Sequence, residues 1–204
     1  MDKITDKGNN IFIDRRRVKR IVSVNRIIVH HTYSRDVSAI EVDRWHKARG
    51  WAAIGYHYLI RIRGDIERGR PENLQGVHAG RANVDSIGIA LTGNFSRFVP
   101  TDQQFSSLVW LIRDIKERLG NHIGIVKHSE VMNTTCPGRN FPWLRLVDTI
   151  EGYLIHIVVR GDTLWSIAQD HLGDGRRWRE IHSINGLREN NTIIVPGQAL
   201  RLPR

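Results

Sequence analysis

The apolar run Ile27-Ile28-Val29 is flanked by Arg26 and His30, and its β-branched character predicts a buried strand. Similar patterns predict strands at Tyr56–Arg63, with Gly64-Asp65 as a turn signal, at Ser86–Thr92 and at Ile123–His128. Between them lie two helix signatures. Ser38 with Glu41 forms a capping box for a helix that reaches Arg49 and ends at Gly50. Thr101 with Gln104 forms another, followed by Phe105, Leu108, Ile112, Ile115 and Leu119 at helical spacing up to Gly120. Strands and helices alternate, which indicates an α/β fold.

The pattern changes near residue 150. A strand over Leu154–Val159, helical segments over Thr163–His171 and Trp178–Asn185, and strand-like runs at Ile193–Val195 and Ala199–Leu202 predict a small β-α-α-β block. Three segments follow: a basic extension over residues 1–20, a main domain over 21–150 and a small domain over 153–204. In the small block Trp165, Ile167, Ala168 and Leu172 read as core.

The 204 residues carry a net charge of +10, which implies an anionic partner; nucleic acid and bacterial wall both qualify on charge alone. The densest basic run, Arg15-Arg16-Arg17-Val18-Lys19-Arg20, reads as a solvated arm. No stretch approaches the roughly 18 apolar residues of a membrane span. The N-terminus has no apolar run after a basic segment, so no signal peptide is expected and synthesis is placed in a cytoplasm. The chain's one cysteine, Cys136, excludes an intrachain disulfide and a zinc site built from several cysteines.

His30 and His128 are both predicted at strand ends, where α/β proteins build sites, and Cys136 follows His128 by eight residues. Two imidazoles and a thiolate suit zinc, and three protein ligands leave a position open for catalysis. Spacing alone leaves a structural histidine and an inert buried thiol as alternatives.

The motifs around these residues are more specific. Val29-His30-His31-Thr32, Trp45-His46-Lys47, Gly50-Trp51 and Ile54-Gly55-Tyr56-His57-Tyr58 come first in order. Gly69-Arg70, Gly76-Val77-His78-Ala79-Gly80, Ser86 through Phe95, His128-Ser129-Glu130-Val131 and Cys136-Pro137-Gly138 follow. Together they resemble the type 2 N-acetylmuramoyl-L-alanine amidases, the family of phage lysozyme-type amidases and peptidoglycan-recognition proteins. The resemblance implies a mixed central sheet flanked by helices, with one Zn2+ held by His30, His128 and Cys136. His31 is then a neighbour of a ligand. It further implies hydrolysis of the amide between N-acetylmuramic acid and L-alanine, with Tyr56 and Thr134 stabilising the oxyanion. Thr134 stands where phage members carry a lysine and recognition-type amidases a threonine. Glu130 is a weaker source for the leaving-group proton. His78, Asn83 and Asn94 fall in segments that line the family's substrate groove.

His156 through Ala168, then Asn185 and Ile193 through Leu200, resemble the opening and the end of a LysM domain. That likeness places glycan contacts at Gly161, Asp162, Thr163 and Leu164 and at Ile193, Ile194, Val195 and Pro196. Bacterial peptidoglycan is the implied partner, with no specific nucleic acid, and a monomer is the expected state. A phage-type endolysin is the favoured role. The rival readings are a non-catalytic peptidoglycan-recognition protein, a cysteine peptidase built on Cys136 and a nucleic-acid binder. The first typically lacks the metal cysteine, and the third lacks a recognisable binding motif.

Overall fold

The computed structural model describes residues 4–5, 11–188 and 192–203. The chain divides into two compact units, Met1–Pro142 and Trp143–Arg204.

The first unit is built on one mixed sheet. Its strands are β1 (Ile4–Thr5), β2 (Arg26–His31), β3 (Tyr58–Ile60), β4 (Ile66–Arg68), β5 (Ser86–Leu91) and β6 (Gly124–Lys127). They lie in the order β1-β4-β3-β5-β2-β6. β3, β5, β2 and β6 run parallel, while β4 pairs antiparallel with β3 and parallel with β1. Ile27, Ile28 and Val29 are fully buried, as expected of a parallel strand covered on both faces.

Two predicted helices form from their predicted caps. In α1 (Ala39–Ala48) the Ser38 hydroxyl accepts from the Glu41 N–H while the Glu41 carboxylate accepts from the Ser38 N–H. In α2 (Asp102–Leu119) Thr101 and Gln104 make the same reciprocal pair. Phe105, Leu108, Ile112 and Ile115 of α2 are buried, but Leu119 in its last turn is exposed.

Several predicted boundaries shift. The segment expected as one strand over 56–63 is a tight hairpin, because the chain reverses at Arg61–Gly64 with Gly64 at φ +87° and returns as β4. His128 does not end a strand. β6 stops at Lys127, and His128 starts the one-turn helix α3 (His128–Val131), which Glu130 caps by reaching back to the Lys127 N–H. The basic run is solvated, with Arg16, Arg17, Lys19 and Arg20 exposed, but it is tethered: Arg17 donates to the Gly50 carbonyl, and the Lys19 carbonyl accepts from the Gln75 N–H.

The second unit begins with a helix absent from the sequence-based expectation, α4 (Trp143–Glu151). β7 (Leu154–Ile157) and β8 (Ala199–Leu202) pair antiparallel around α5 (Leu164–Leu172) and α6 (Trp178–Ile184). Ile193–Val195 lies outside the ladder. Val158, Leu164, Ile167, Ala168, Ile181, Leu200 and Leu202 form the core. Trp165, expected in that core, is 53% exposed: its ring lies over Gly175 and lines a surface cavity instead. Asn185 ties α6 to β8 by accepting from the Arg201 N–H and donating to the Arg201 carbonyl.

Candidate metal centre

His30 and His31 are consecutive residues of β2, so their side chains leave opposite faces of the sheet. This separates their roles. The His31 ring turns to the Phe95 N–H, from which its Nδ1 accepts at 3.0 Å. Burial, followed by the nearby His128, lowers its pKa to about 4, so it stays neutral. The His30 ring turns the other way, with Nδ1 3.9 Å from Cys136 Sγ and its centroid 4.3 Å from that of His128.

The ligand atoms offered by His30, His128 and Cys136 all lie within 4.8 Å of one another. His30 and Cys136 are buried and His128 half-buried. Burial holds His30 well below the usual imidazole range and lowers His128, so both rings are neutral lone-pair donors. Burial pushes the Cys136 thiol up to about 11, against the opposing pull of the His31 N–H that it accepts at 3.3 Å. His128 Nε2 is buried with no hydrogen-bond partner among the described residues. An orphaned imidazole nitrogen beside a buried thiol is costly unless a cation joins them. The donor set, two nitrogens and one sulfur, fits zinc.

Tyr56 faces this cluster, its ring centroid 5.1 Å from that of His30. Burial, reinforced by Cys136, raises its pKa, so the phenol remains an O–H donor at neutral pH. Its backbone is fixed from behind: the Tyr56 carbonyl accepts from the Arg70 N–H, and a Cβ on Gly69 would lie 2.4 Å from that carbonyl. Thr134 stands beside the cluster with its hydroxyl accepting from the Cys136 N–H, which makes it a brace for the ligand loop. Glu130 is occupied as the cap of α3.

His78 is not an open groove residue. Its side chain is buried under the cluster, with Nδ1 3.0 Å from His30 Nε2 and Nε2 unpartnered among the described residues. The sequence signal for this placement is glycine. A Cβ on Gly76 or Gly88 would come within 2.3 Å or 2.6 Å of the His78 ring, so both positions must be bare for the ring to fit. Asn83 accepts from the His78 and Ala79 N–H groups and sets the loop that delivers His78. Asn94 accepts from the Ser96 N–H and shapes the following turn.

The cysteine loop is locked to that turn. Gly138 has φ +105°, and a Cβ there would lie 2.4 Å from the Phe95 carbonyl carbon. Gly138→Ala is therefore expected to destabilise the fold by at least ~1–3 kcal/mol of backbone strain, read as a lower urea midpoint. Acid should act elsewhere in the core. His57 is fully buried, accepts at Nδ1 from the Gly88 N–H and donates from Nε2 to the Leu74 carbonyl, and burial lowers its pKa from 6.5 to about 4. The unfolded chain thus binds a proton that the folded chain refuses. Its contribution to stability is complete above pH 6.5 and is lost as pH falls towards 4, by up to about 1.4 kcal/mol per pH unit. Denaturant titrations at pH 7 and 4.5 check this, and His57→Gln should shrink the difference without abolishing it, because burial also holds His31 and His46 at about 4.

In the second unit, Asp162, Thr163, Leu164, Ile193 and Ile194 line a cavity of about 370 Å³, joined by Trp165 and Trp178. Gly161, Val195 and Pro196 lie outside that lining. The Asp162 carboxylate accepts from the Val159 N–H and from His156, and these bonds lower its pKa. Thr163 caps α5 through the Ser166 N–H.

Residues 20–139 match the family model described as N-acetylmuramoyl-L-alanine amidase, and residues 156–203 match the LysM domain. The endolysin of Escherichia phage T7 is 34% identical over 131 residues, covering 58% of this chain and 83% of that protein. A peptidoglycan-recognition protein of Drosophila simulans is 34% identical over 137 residues, covering 61% of this chain and 74% of that protein. Among solved structures, the N-acetylmuramoyl-L-alanine amidase LysC from Clostridium intestinale superimposes with a TM-score of 0.60 at 39% identity, over 63% of this chain and 86% of that one. Among the described residues, no helix is long and apolar enough to cross a membrane.

Proposed function

Because the chain belongs to the N-acetylmuramoyl-L-alanine amidase family and carries a LysM domain, we propose that it is a zinc-dependent hydrolase of the bond between N-acetylmuramic acid and L-alanine, and that it serves as an endolysin. The observation that carries the zinc reading is the convergence of His30, His128 and Cys136, with ligand atoms within 4.8 Å of one another. The endolysin reading is supported by the phage endolysins among its relatives. On this reading the enzyme acts on the wall after release or delivery from the cell that made it.

His30, His128 and Cys136 hold the metal, which when bound supplies Lewis acidity and an acidified water. The rest of the chemistry falls to the chain. Tyr56, kept protonated by burial, donates to the oxygen of the scissile amide as negative charge develops there. Thr134 holds the Cys136 backbone and leaves its own hydroxyl proton free for the same oxygen. His78 Nδ1 accepts a hydrogen bond from the His30 Nε2–H and thereby favours the tautomer that leaves His30 Nδ1 bare. The LysM unit raises the local concentration of wall at the active site.

Mass spectrometry of digested peptidoglycan tests this reading. New L-alanine amino termini without new reducing ends are expected, abolished by a chelator and restored by zinc. New reducing ends, or chelator-resistant cleavage sensitive to thiol alkylation, would overturn it. Deleting residues 153–204 is expected to lower activity on intact walls several-fold while sparing small muropeptides.

A further inference from the structure

A cavity of about 360 Å³, separate from the metal cluster, is lined by Tyr33, Ser96, Arg97, Thr135 and Arg139. Its walls are the segments that carry the cluster. Tyr33 packs edge-on against His31, ring centroids 5.5 Å apart, and Thr135 immediately precedes Cys136. Ser96 and Arg97 follow Phe95, whose N–H bonds to His31. The two loops bearing the arginines are fastened together: the Asn140 N–H donates to the Phe95 carbonyl, and Gly138 packs against the Phe95 and Ser96 backbone. The Arg97 N–H is itself held by the Asn94 carbonyl.

What distinguishes this cavity is charge. Arg61 and Arg118 are each neutralised by two carboxylates, Asp36 with Glu67 and Glu72 with Asp114. The lining of this cavity holds two guanidiniums, Arg97 and Arg139, and no acid to balance them. Guanidinium groups bind carboxylates by charge-assisted, often bidentate hydrogen bonds.

Resting on the function proposed above, we infer that Arg97 and Arg139 form a carboxylate subsite for the stem peptide, and that it takes the free α-carboxylate of the γ-linked D-glutamyl residue. The chemistry of the strand selects that group. L-Alanine is joined at both ends, so the first free negative charge beyond the scissile bond belongs to the second residue. Two extended residues reach at most ~7 Å, so this charge stays near the reacting amide, and Thr135 of the cavity wall is the chain neighbour of Cys136. The same subsite would reject a stem whose second residue is amidated to isoglutamine.

The test uses peptides that lack the scissile bond, so that binding is read apart from hydrolysis. L-Ala-D-isoGlu-L-Lys and L-Ala-D-isoGln-L-Lys are titrated calorimetrically into the zinc-loaded full-length protein. The acid is expected to bind at least about tenfold more tightly than the amide. The double variant Arg97→Gln/Arg139→Gln should erase that preference, and Arg97→Lys/Arg139→Lys should retain part of it. Unchanged zinc content and circular dichroism confirm that the variants are folded. Equal wild-type affinities, or a preference that survives in the glutamine variant, would overturn the subsite. A wild-type preference for the acid in a protein that releases no L-alanine termini from wall would leave the subsite standing and sink the hydrolase reading instead.

Discussion

Cys136→Ala is expected to abolish wall hydrolysis, with a loss greater than the ~10³-fold that follows removal of a single oxyanion donor. The reason lies in how the cluster is made. Without Cys136 the remaining donors are two neutral imidazoles, and the one donor of the set that can turn anionic on a metal is gone. Serine is no substitute, because a hydroxyl of similar size does not ionise at neutral pH as a metal-bound thiol does. Adding zinc back after chelation should restore the wild type and leave the variant inactive. A second effect accompanies the first. Cys136 Sγ accepts the His31 N–H in a buried setting, so the alanine variant also strands that donor, at a cost of about 1–3 kcal/mol. Thermal unfolding of the metal-free proteins isolates this part. Wall binding through the LysM unit should persist, so that the variant sediments with walls it no longer cuts.

His78→Ala is expected to weaken zinc binding by ~10–100-fold, the usual cost of removing a group that orients a metal-binding histidine. His30 would lose the partner 3.0 Å from its Nε2, and with it the constraint on which nitrogen carries the proton. His78→Asn or His78→Gln, which can still offer an oxygen to that proton, should recover part of the loss. A competition titration against a chromogenic chelator reads the affinity directly, and the ligand-field spectrum of the cobalt-substituted protein reads the geometry. If alanine changed stability but neither affinity nor spectrum, His78 would be a filler of space alone.

The parts of the molecule legible in the sequence are those whose signal is local or densely patterned. β2 shows as three β-branched residues in a row, and α1 and α2 announce their starts by capping boxes that form in the structure. The candidate metal ligands were legible because the motifs around them occur in family order. The rest depended on tertiary context. β4 is three residues long and exists because β3 supplies its ladder, which no window of sequence contains. His78 reads in sequence as a polar loop residue, and only the bare Gly76 and Gly88 reveal that a ring fills the space between them. Trp165 looks like core by type, yet half its surface is open. Arg97 and Arg139 are far apart in the chain and acquire meaning only when the Phe95 and Gly138 loops are fastened together.

The contact between His30 and Cys136 spans 106 residues. It bears on timing during synthesis. A nascent chain can present His30 early, but it owns no complete metal centre until Cys136 has left the ribosome and β6 has docked beside β2. On the zinc reading, metal capture would come late in maturation of the first unit and would add RT ln(1 + [Zn]/Kd) to native stability only then. On the zinc reading, a chain interrupted between β6 and residue 136 would carry the strands of the sheet and no complete metal centre.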